Sequence, residues 1–354
     1  MAGEILQEVS AQHESDSGLR SGVSSTTEQF RAGPKSRTNR GRSRLPAPLL
    51  AAVLVFTGAG PVFAADAEPS DSERLVTKAR TLAQRWDRDP RQIPIHLEFE
   101  EARGRLRGAV YSIVEQPFGT VSEALGRPAS WCEILPLHFN VKSCTYAKRT
   151  GDQPLTVYLG RKFYQEPDAA RRLALSFQVL SADQDYFEIN LRAKKGRVRT
   201  RNYVLSLSAV PLAAERTFVH LGYSHDVGLT TRIAMYGYLH TLGRGKVGFS
   251  VVGRSSDGRP IHVGGLQGVI ERNAMRYHLA VKAYLETLEV SEPQRFDRRI
   301  ERWFELTGGY REQLFEIGRD EYLRSKRREW ENQARLQGAI QVAPGPTIRT
   351  ERLG

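Results

Sequence analysis

The order of apolar patterns in this chain of 354 residues predicts an α+β fold, with a long C-terminal helix packed across a curved antiparallel sheet. From Leu155 onward, apolar and polar residues alternate through several strand-length segments, which are separated by polar or glycine-containing turns. The pattern then changes to the 3–4 spacing of a long amphipathic helix, and a charged helical extension follows it.

Composition and charge narrow the class of protein. The hydrophobic content of 40% and the charged content of 26% are ordinary for a soluble globular protein. The formal net charge of +12 favours contact with anionic partners, among them a membrane surface. No aromatic RNA-binding motif or paired zinc-ligand spacing accompanies this charge, so we expect no nucleic acid partner.

The N-terminal residues predict export. Residues 1–44 are polar and are expected to form a disordered leader, and residues 45–65 follow with the pattern of a signal peptide. Arginines precede a short apolar core, and Val62 and Ala64 are the small residues expected before a cleavage site. We therefore expect cleavage near Ala64 or Ala65 and a periplasmic or secreted mature protein.

The two cysteines of the chain, Cys132 and Cys144, lie twelve positions apart. In an oxidising compartment this pair favours a disulfide. A metal site would need further ligands, and no second pair of suitably spaced ligands lies nearby. A thiol nucleophile would need a base, for which His138 is the local candidate.

The remaining residues divide into four expected segments. Residues 66–93 form a short helical lead-in, residues 94–289 the main domain, residues 290–338 a charged helical extension, and residues 339–354 a disordered tail.

The main domain opens with two strands joined at Gly104 and a helix pair interrupted around Gly126 and Pro128. The strands of the meander follow, and the stretch KVGFSVVG is expected to be the last of them. A short helical insert from Leu229 to Leu242 precedes that stretch. The closing helix is expected from about Gly268 to Leu288.

This order resembles the START and Bet v 1-like helix-grip (SRPBCC) superfamily over about residues 95–288. The resemblance rests on the opening strand GAVYSIVEQPF, the helix start GTVSEAL leading to Trp131, the meander and the closing helix. It implies a hydrophobic cavity between the sheet and the long helix, which in that family binds lipids, sterols or polyketides. Some members are cyclases. No cofactor or metal is implied.

We expect the cavity to be lined by apolar and aromatic side chains, because an aromatic ring combines a large apolar surface with one polar tip. The insert should lie near its mouth. The candidate ligand-binding residues are Tyr186, Tyr203, Leu221, Tyr223, Tyr236, Met275, Tyr277, His278, Val281 and Tyr284.

Polar clusters offer further candidate sites. Glu271, Arg272, Asn273, Arg276 and His278 crowd the start of the long helix, where the pattern favours an exposed face with local ion pairs over a ligand-binding group.

The hairpin from Arg192 to Arg201 is basic, which fits a solvated turn or contact with lipid headgroups. His96, Glu98 and Glu100 share one strand face, which favours a solvated face over a cation site. No serine-hydrolase or zinc-protease motif is present in the sequence.

Three functions remain open. The first is a non-catalytic carrier of a lipid or other hydrophobic small molecule. The second is a cyclase or hydrolase that uses Glu271, Tyr277 and His278 as acid or base. The third is an envelope protein that binds no small ligand and docks a partner or an anionic membrane.

Overall fold

The computed structural model describes residues 69–88, 94–147, 153–195, 200–228, 237 and 245–342. The expected leader, signal peptide and cleavage site lie outside these residues, as do Tyr236 and most of the expected insert. Within the described ranges, no helix is both long enough and apolar enough to cross a membrane.

Eight antiparallel strands form one sheet in the order β1-β2-β8-β7-β6-β5-β4-β3. The strands are β1 Ile95–Ala102, β2 Arg105–Val114, β3 Val141–Tyr146, β4 Gln153–Leu159, β5 Arg171–Ala182, β6 Phe187–Lys195, β7 Thr200–Ala213 and β8 Arg216–Val227. Each of β3 to β7 pairs with the strand that follows it in the chain, and β8 returns to β2. This topology, with a long helix packed on the sheet, is the expected helix-grip α+β fold.

The β1–β2 hairpin turns at Arg103 and Gly104, which have φ of 49° and 79°. Glycine adopts this left-handed region without a steric penalty, which explains why Gly104 joins the two strands as predicted.

Two short helices connect β2 with the far edge of the sheet, α2 (Phe118–Leu125) and α3 (Pro128–Ile134). Pro128 occupies the first turn of α3, where its missing N–H costs no hydrogen bond. The helices place the chain at β3, from which the meander returns strand by strand.

The long helix α4 (Gly265–Leu285) packs against β1, β2 and β8. We call the sheet face that it covers the inner face and the opposite one the outer face. A Cβ atom on Gly108 of β2 would lie 2.5 Å from Cγ2 of Ile270, so a larger residue at this position would push the helix away. The helix ends three residues before the expected Leu288, and just after its end the Thr287 hydroxyl donates to the backbone oxygens of Ala283 (2.8 Å) and Tyr284 (3.1 Å).

Helix α1 (Asp71–Arg88) packs on the outer face. Its buried residues are those of the predicted apolar stripe, Leu75, Ala79, Leu82 and Trp86. They meet Ile113, Val210 and Phe218 of the sheet, so the lead-in covers one end of the outer face.

The charged extension folds into α5 (Gln294–Gly308), α6 (Arg311–Leu314) and α7 (Arg319–Val342). Helix α5 packs against α4, and α7 lies along β3 at the sheet edge. Helix α7 continues past Gly338, where the sequence predicts the start of a loose tail. The side-chain amide of Gln337 exchanges two hydrogen bonds with the backbone of Tyr146, both 2.9 Å long, and this holds the last turns of α7 against the sheet.

The sequence predicts that the stretch KVGFSVVG is the last strand of the main sheet, and this prediction is wrong. The end of the stretch forms β9 (Val251–Arg254), which pairs with β10 (Pro260–His262) in a separate hairpin. Glu271 of α4 holds the approach to this hairpin, because its Oε2 accepts hydrogen bonds from the backbone N–H groups of Phe249 (2.6 Å) and Ser250 (2.9 Å).

Candidate functional site

A disulfide joins Cys132 of α3 to Cys144 of β3, with 4.9 Å between the Cα atoms. This confirms the predicted pairing, and it fixes the end of the helix pair to the edge of the sheet. Both cysteines are buried. The disulfide lies beside a cavity, because the chain between its two cysteines supplies part of the cavity wall.

The cavity lies between the inner face of the sheet and α4 and has a volume of about 100 Å³. Strands β3 to β8 supply most of the wall, and α4 closes it from the other side. The apolar part of the lining consists of Leu135, Val141, Val157, Leu159, Leu173, Leu175, Leu191, Val204 and Leu205. Such a lining, with a small number of polar groups, is typical of a site for an apolar ligand.

A row of aromatic rings crosses the cavity wall. Tyr277 of α4 stacks on His138, with 5.2 Å between ring centroids, and on Tyr223, at 6.3 Å. Tyr203 meets Tyr223 edge-on at 6.4 Å and stacks on His225 at 5.0 Å. These rings present flat apolar surfaces to a ligand and carry their polar atoms at the ring edges.

Three buried polar side chains belong to the lining. His138, Asn140 and Asn273 are 3%, 6% and 1% exposed. The side chains of His138 and Asn273 interact with each other, whereas Oδ1 of Asn140 has no hydrogen-bond partner among the described residues. Buried polar atoms without partners are uncommon in folded proteins, because each has lost its bonds to water.

Two ionisable side chains of the wall are held in their neutral forms. Burial lowers the pKa of His138 well below its usual value, the positive charges of Arg276 and Lys326 add to this effect, and a hydrogen bond with the Asn273 side chain opposes it. Burial raises the pKa of Tyr223 well above its usual value. Neither group changes charge near neutral pH.

Three of the predicted ligand-binding residues, Tyr203, Tyr223 and Tyr277, line the cavity. Tyr186 does not, because it lies on the outer face under α1, where its hydroxyl donates to Oε2 of Glu188 at 2.8 Å.

The other predicted residues lie in the core outside the cavity. Leu221 is fully buried between the sheet and α4. The hydroxyl of Tyr284 donates to Oγ of Ser130 at 2.9 Å. Met275, His278 and Val281 are buried without reaching the lining.

The charged cluster at the start of α4 is not the exposed face that its pattern favours. Glu271, Arg272, Asn273, Arg276 and His278 are all at most 4% exposed. The C-terminal helices and the segment before β9 cover this face of α4, so the helix is buried on both sides. The pKa of His278 falls to about 3 through burial.

Sequence reasoning missed His138, Asn140 and Asn273 as cavity residues. The one local signal was the spacing of Asn273 and Tyr277, which places both on the same side of α4. His138 appeared only as a candidate base for a thiol, a role that the disulfide removes.

A second, polar groove of about 700 Å³ runs along the outer face. Its basic lining consists of Arg105, Arg107, Arg192 and Lys194. Arg105 pairs with Asp226 at 2.7 Å and Arg107 with Glu100 at 3.4 Å. In the described part of the chain, the side chains of Arg192 and Lys194 have no ion-pair partner.

The fold and the cavity together define a helix-grip protein with a small apolar site between its sheet and its long helix. No protein-family model matches the chain, and no curated protein matches its sequence.

Solved structures match parts of it. Human StAR-related lipid transfer protein 5 is 11% identical over 46% of this chain and 89% of its own, with a TM-score of 0.26. The Zhui aromatase/cyclase from Streptomyces sp. R1128 is 13% identical over 42% and 88%, with a TM-score of 0.28. A fragment of a STAR-related lipid transfer protein from Xanthomonas axonopodis is 12% identical over 54% and 98%, with a TM-score of 0.31. At these TM-scores the likeness supports no conclusion about ligand or reaction, and the fold class follows from the strand order and the position of α4.

Proposed function

We propose that this chain is an exported, non-catalytic protein that binds a hydrophobic small molecule between its sheet and α4. The observation that carries the proposal is the cavity, whose wall is apolar except for a few polar groups.

The size of the cavity bears on the ligand. A volume of about 100 Å³ is well below the roughly 300 Å³ at which sites for drug-sized ligands begin. An apolar cavity of roughly 150 Å³ holds benzene in another protein. The cavity is therefore smaller than one that holds a single ring, so it must widen to take a one-ring ligand or one end of a longer molecule, and must widen further for a whole lipid.

The chemistry of the wall favours binding over catalysis. A general acid or base works best when its pKa lies near the working pH. The pKa values of His138 and Tyr223 are shifted away from neutrality. Glu271, one of the residues that the enzyme hypothesis names, does not line the cavity and is hydrogen-bonded to the segment before β9.

Export is supported by the signal-peptide pattern of residues 45–65 and by the buried disulfide, since disulfides persist in oxidising compartments. N-terminal sequencing of protein from fractionated cells tests this part of the proposal. We expect the chain to begin near Ala65. An intact N-terminus on cytosolic protein would reject export.

Native mass spectrometry of protein purified from its own envelope, followed by solvent extraction, tests the binding function. We expect the wild type to carry an extractable apolar molecule. The Leu175→Trp variant fills part of the cavity from the half-buried middle of β5 and should carry none. Val179→Trp is the matched control, because Val179 is an exposed residue of the same strand outside the cavity. Equal loading of all three proteins would reject the proposed site.

The outer groove supports a second candidate function, contact with an anionic membrane surface. Arg192 and Lys194 are exposed cations without ion-pair partners among the described residues, which is the arrangement that attracts phospholipid headgroups. The double variant Arg192→Ser/Lys194→Ser should lose sedimentation with vesicles that contain phosphatidylglycerol, whereas Arg324→Ser on the exposed side of α7 should retain it. Equal sedimentation of both variants would reject this candidate.

A further inference from the structure

The outer groove owes its volume to small side chains on its floor. Ser206 of β7, Gly222 of β8 and Ala109 of β2 lie side by side in register and line it. A Cβ atom on Gly222 would lie 2.6 Å from Oγ of Ser206, so a larger residue at position 222 would displace this floor. Small residues on neighbouring strands leave space above the sheet, and the groove of about 700 Å³ occupies that space.

The floor is polar as well as small. Ser176, Ser206 and Ser224 line it with hydroxyl groups, and Gln178 adds a side-chain amide. Hydroxyl and amide groups both donate and accept hydrogen bonds, so such a floor matches a ligand that carries several hydroxyl groups.

A buried amide beside this floor lacks a partner for its oxygen. Asn190 of β6 lies between Gln178 and Ser206 in the register of the outer face. It is 1% exposed, and its Oδ1 has no hydrogen-bond partner among the described residues. Such an atom has lost its bonds to water, so a ligand hydroxyl that enters between Gln178 and Ser206 would give it a donor.

Cations stand on both sides of the floor, and no acidic residue belongs to the lining within the described ranges. Arg192 and Lys194 come from β6, and Arg105 and Arg107 come from β2, three strand spacings or about 14 Å away. The arginines of β2 are already paired with carboxylates, so the β6 side carries the uncompensated charge. His220 is neutral at pH 7, because burial lowers its pKa to about 4.

We propose that the outer groove binds a small anion that carries several hydroxyl groups, such as a sugar phosphate, either free or as the headgroup of a lipid. Arg192 and Lys194 hold the phosphate, and the serine and amide floor holds the hydroxyl groups. The inference goes beyond the hydrophobic site, and it narrows the second candidate function from a charged surface to one kind of headgroup.

Two simpler ligands fit the groove less well. A volume of about 700 Å³ lies within the range of roughly 300–1,000 Å³ that is typical of small-molecule sites, and a phosphate ion would fill a small part of it. A flat anionic surface would reach the exposed cations at the sides and leave the polar floor without ligand hydrogen bonds.

Calorimetric titration of the mature protein at pH 7 with glucose 6-phosphate, inorganic phosphate and glucose tests the inference. The first probe combines the charge of the second with the hydroxyl groups of the third. We expect glucose 6-phosphate to bind at least about tenfold more tightly than inorganic phosphate, because the floor adds hydrogen bonds to its hydroxyl groups, and glucose to bind most weakly.

Variants of the floor and of the charged side locate the site. Ser206→Leu and Ser176→Leu fill the floor without changing its charge, and each should reduce the preference for glucose 6-phosphate over phosphate to less than about threefold. The double variant Arg192→Ser/Lys194→Ser should weaken the binding of both anions. Ser181→Leu is the control, because Ser181 is a half-buried serine of the same strand as Ser176 and lies outside the groove.

Sedimentation with vesicles distinguishes a lipid headgroup from a free ligand. Phosphatidylinositol and phosphatidylserine each carry one net negative charge, and the first has a hydroxylated ring. Stronger sedimentation with phosphatidylinositol at equal mole fraction, reversed by glucose 6-phosphate, would support a headgroup. Equal sedimentation with both lipids, together with the preference for glucose 6-phosphate over phosphate, would support a free ligand.

The outcomes also separate this inference from the membrane function. Equal affinity for glucose 6-phosphate and phosphate, together with equal sedimentation with the two lipids, would overturn the inference and leave charge-dependent membrane contact intact. An unchanged preference for glucose 6-phosphate in both floor variants would overturn the location in the groove. If neither the sugar phosphate nor any anionic vesicle binds, both proposals fail.

Discussion

Lys142 of β3 and Glu329 of α7 form a buried ion pair, with 2.8 Å between Nζ and Oε1. The lysine and glutamate side chains are 0% and 2% exposed. Lys326 pairs with the other oxygen of the same carboxylate at 2.7 Å and donates to the backbone oxygens of His138, before β3, and Val141, at its start. This cluster joins the C-terminal extension to the sheet edge next to the cavity.

Removing the carboxylate should destabilise the protein strongly. Glu329→Gln leaves two buried lysines without their counter-charge, and we expect the free energy of unfolding to fall by about 3–5 kcal/mol. Urea denaturation measures the change. Glu331→Gln alters an exposed residue of the same helix and should have little effect. A similar stability for both variants would contradict the structural role of the pair.

Lys142 should make stability depend on pH in the alkaline range. Burial lowers its pKa from 10.5 to about 8, the charge of Lys326 adds to the shift, and Glu329 opposes it. Between these values the unfolded chain binds more protons than the folded protein, so the Lys142 contribution to the free energy of unfolding rises with pH. Because one pKa unit corresponds to about 1.4 kcal/mol, the whole rise is on the order of 3 kcal/mol.

Urea denaturation from pH 8 to pH 10 measures this dependence. Lys142→Met should give a flatter profile than the wild type, whereas Lys162→Met, at a more exposed position, should keep the wild-type slope. Parallel profiles for the wild type and Lys142→Met would show that Lys142 keeps its ordinary pKa in the folded protein.

Two glutamines of α7 satisfy the free hydrogen-bonding groups of the edge strand β3. Oε1 of Gln333 accepts from the backbone N–H of Cys144 at 2.7 Å, and Oε1 of Gln337 accepts from that of Tyr146 at 2.9 Å. Hydrogen exchange followed by NMR should therefore show both amide protons protected. Gln333→Ala should speed exchange at Cys144 more than at Tyr146, and Gln337→Ala should do the reverse. Uniform acceleration by either variant would mean that the whole helix detaches.

The disulfide should contribute to stability, and no thiol should be free. Thiol titration of denatured, unreduced protein should find none, because the chain has two cysteines and they are bonded to each other. Replacing both with alanine should lower the free energy of unfolding by about 3 kcal/mol, the value expected for a loop of this length. Added reductant should destabilise the wild type and leave the double variant unchanged. Two titratable thiols would reject the pairing.

The parts of the fold that depend on local pattern were predictable. Gly104 marks a turn, the apolar stripe of α1 marks its buried face, and the spacing of Cys132 and Cys144 in a chain proposed to be exported favours a disulfide. Each of these predictions uses residues that lie close together in the sequence.

The environment of α4 was not predictable in this way. A cluster such as Glu271 and Arg276 has the same pattern on an exposed helix face and on one covered by a second layer of helices. The packing of α5, the bonds of Glu271 to the segment before β9, and the ion pair of Arg276 with Glu316, 3.1 Å long, show that this face is buried.

The polar side chains of the cavity wall escaped prediction for a related reason. His138 and Asn273 lie far apart in the sequence, and only the fold brings both into one cavity wall. Met275, which the helical pattern suggested as a lining residue, is a core residue instead. A bulky replacement there would test core packing and not ligand binding.

The central claim is that an apolar ligand lies between the inner face of the sheet and α4. Intermolecular nuclear Overhauser effects between ethylbenzene and the assigned mature protein test it most directly. We expect contacts from the ligand to the methyl groups of Leu175 and Leu191 and to the ring of Tyr277, which line the cavity from opposite sides. Contacts confined to outer-face residues such as Ser206 and His220, or none at saturating ligand, would contradict the claim.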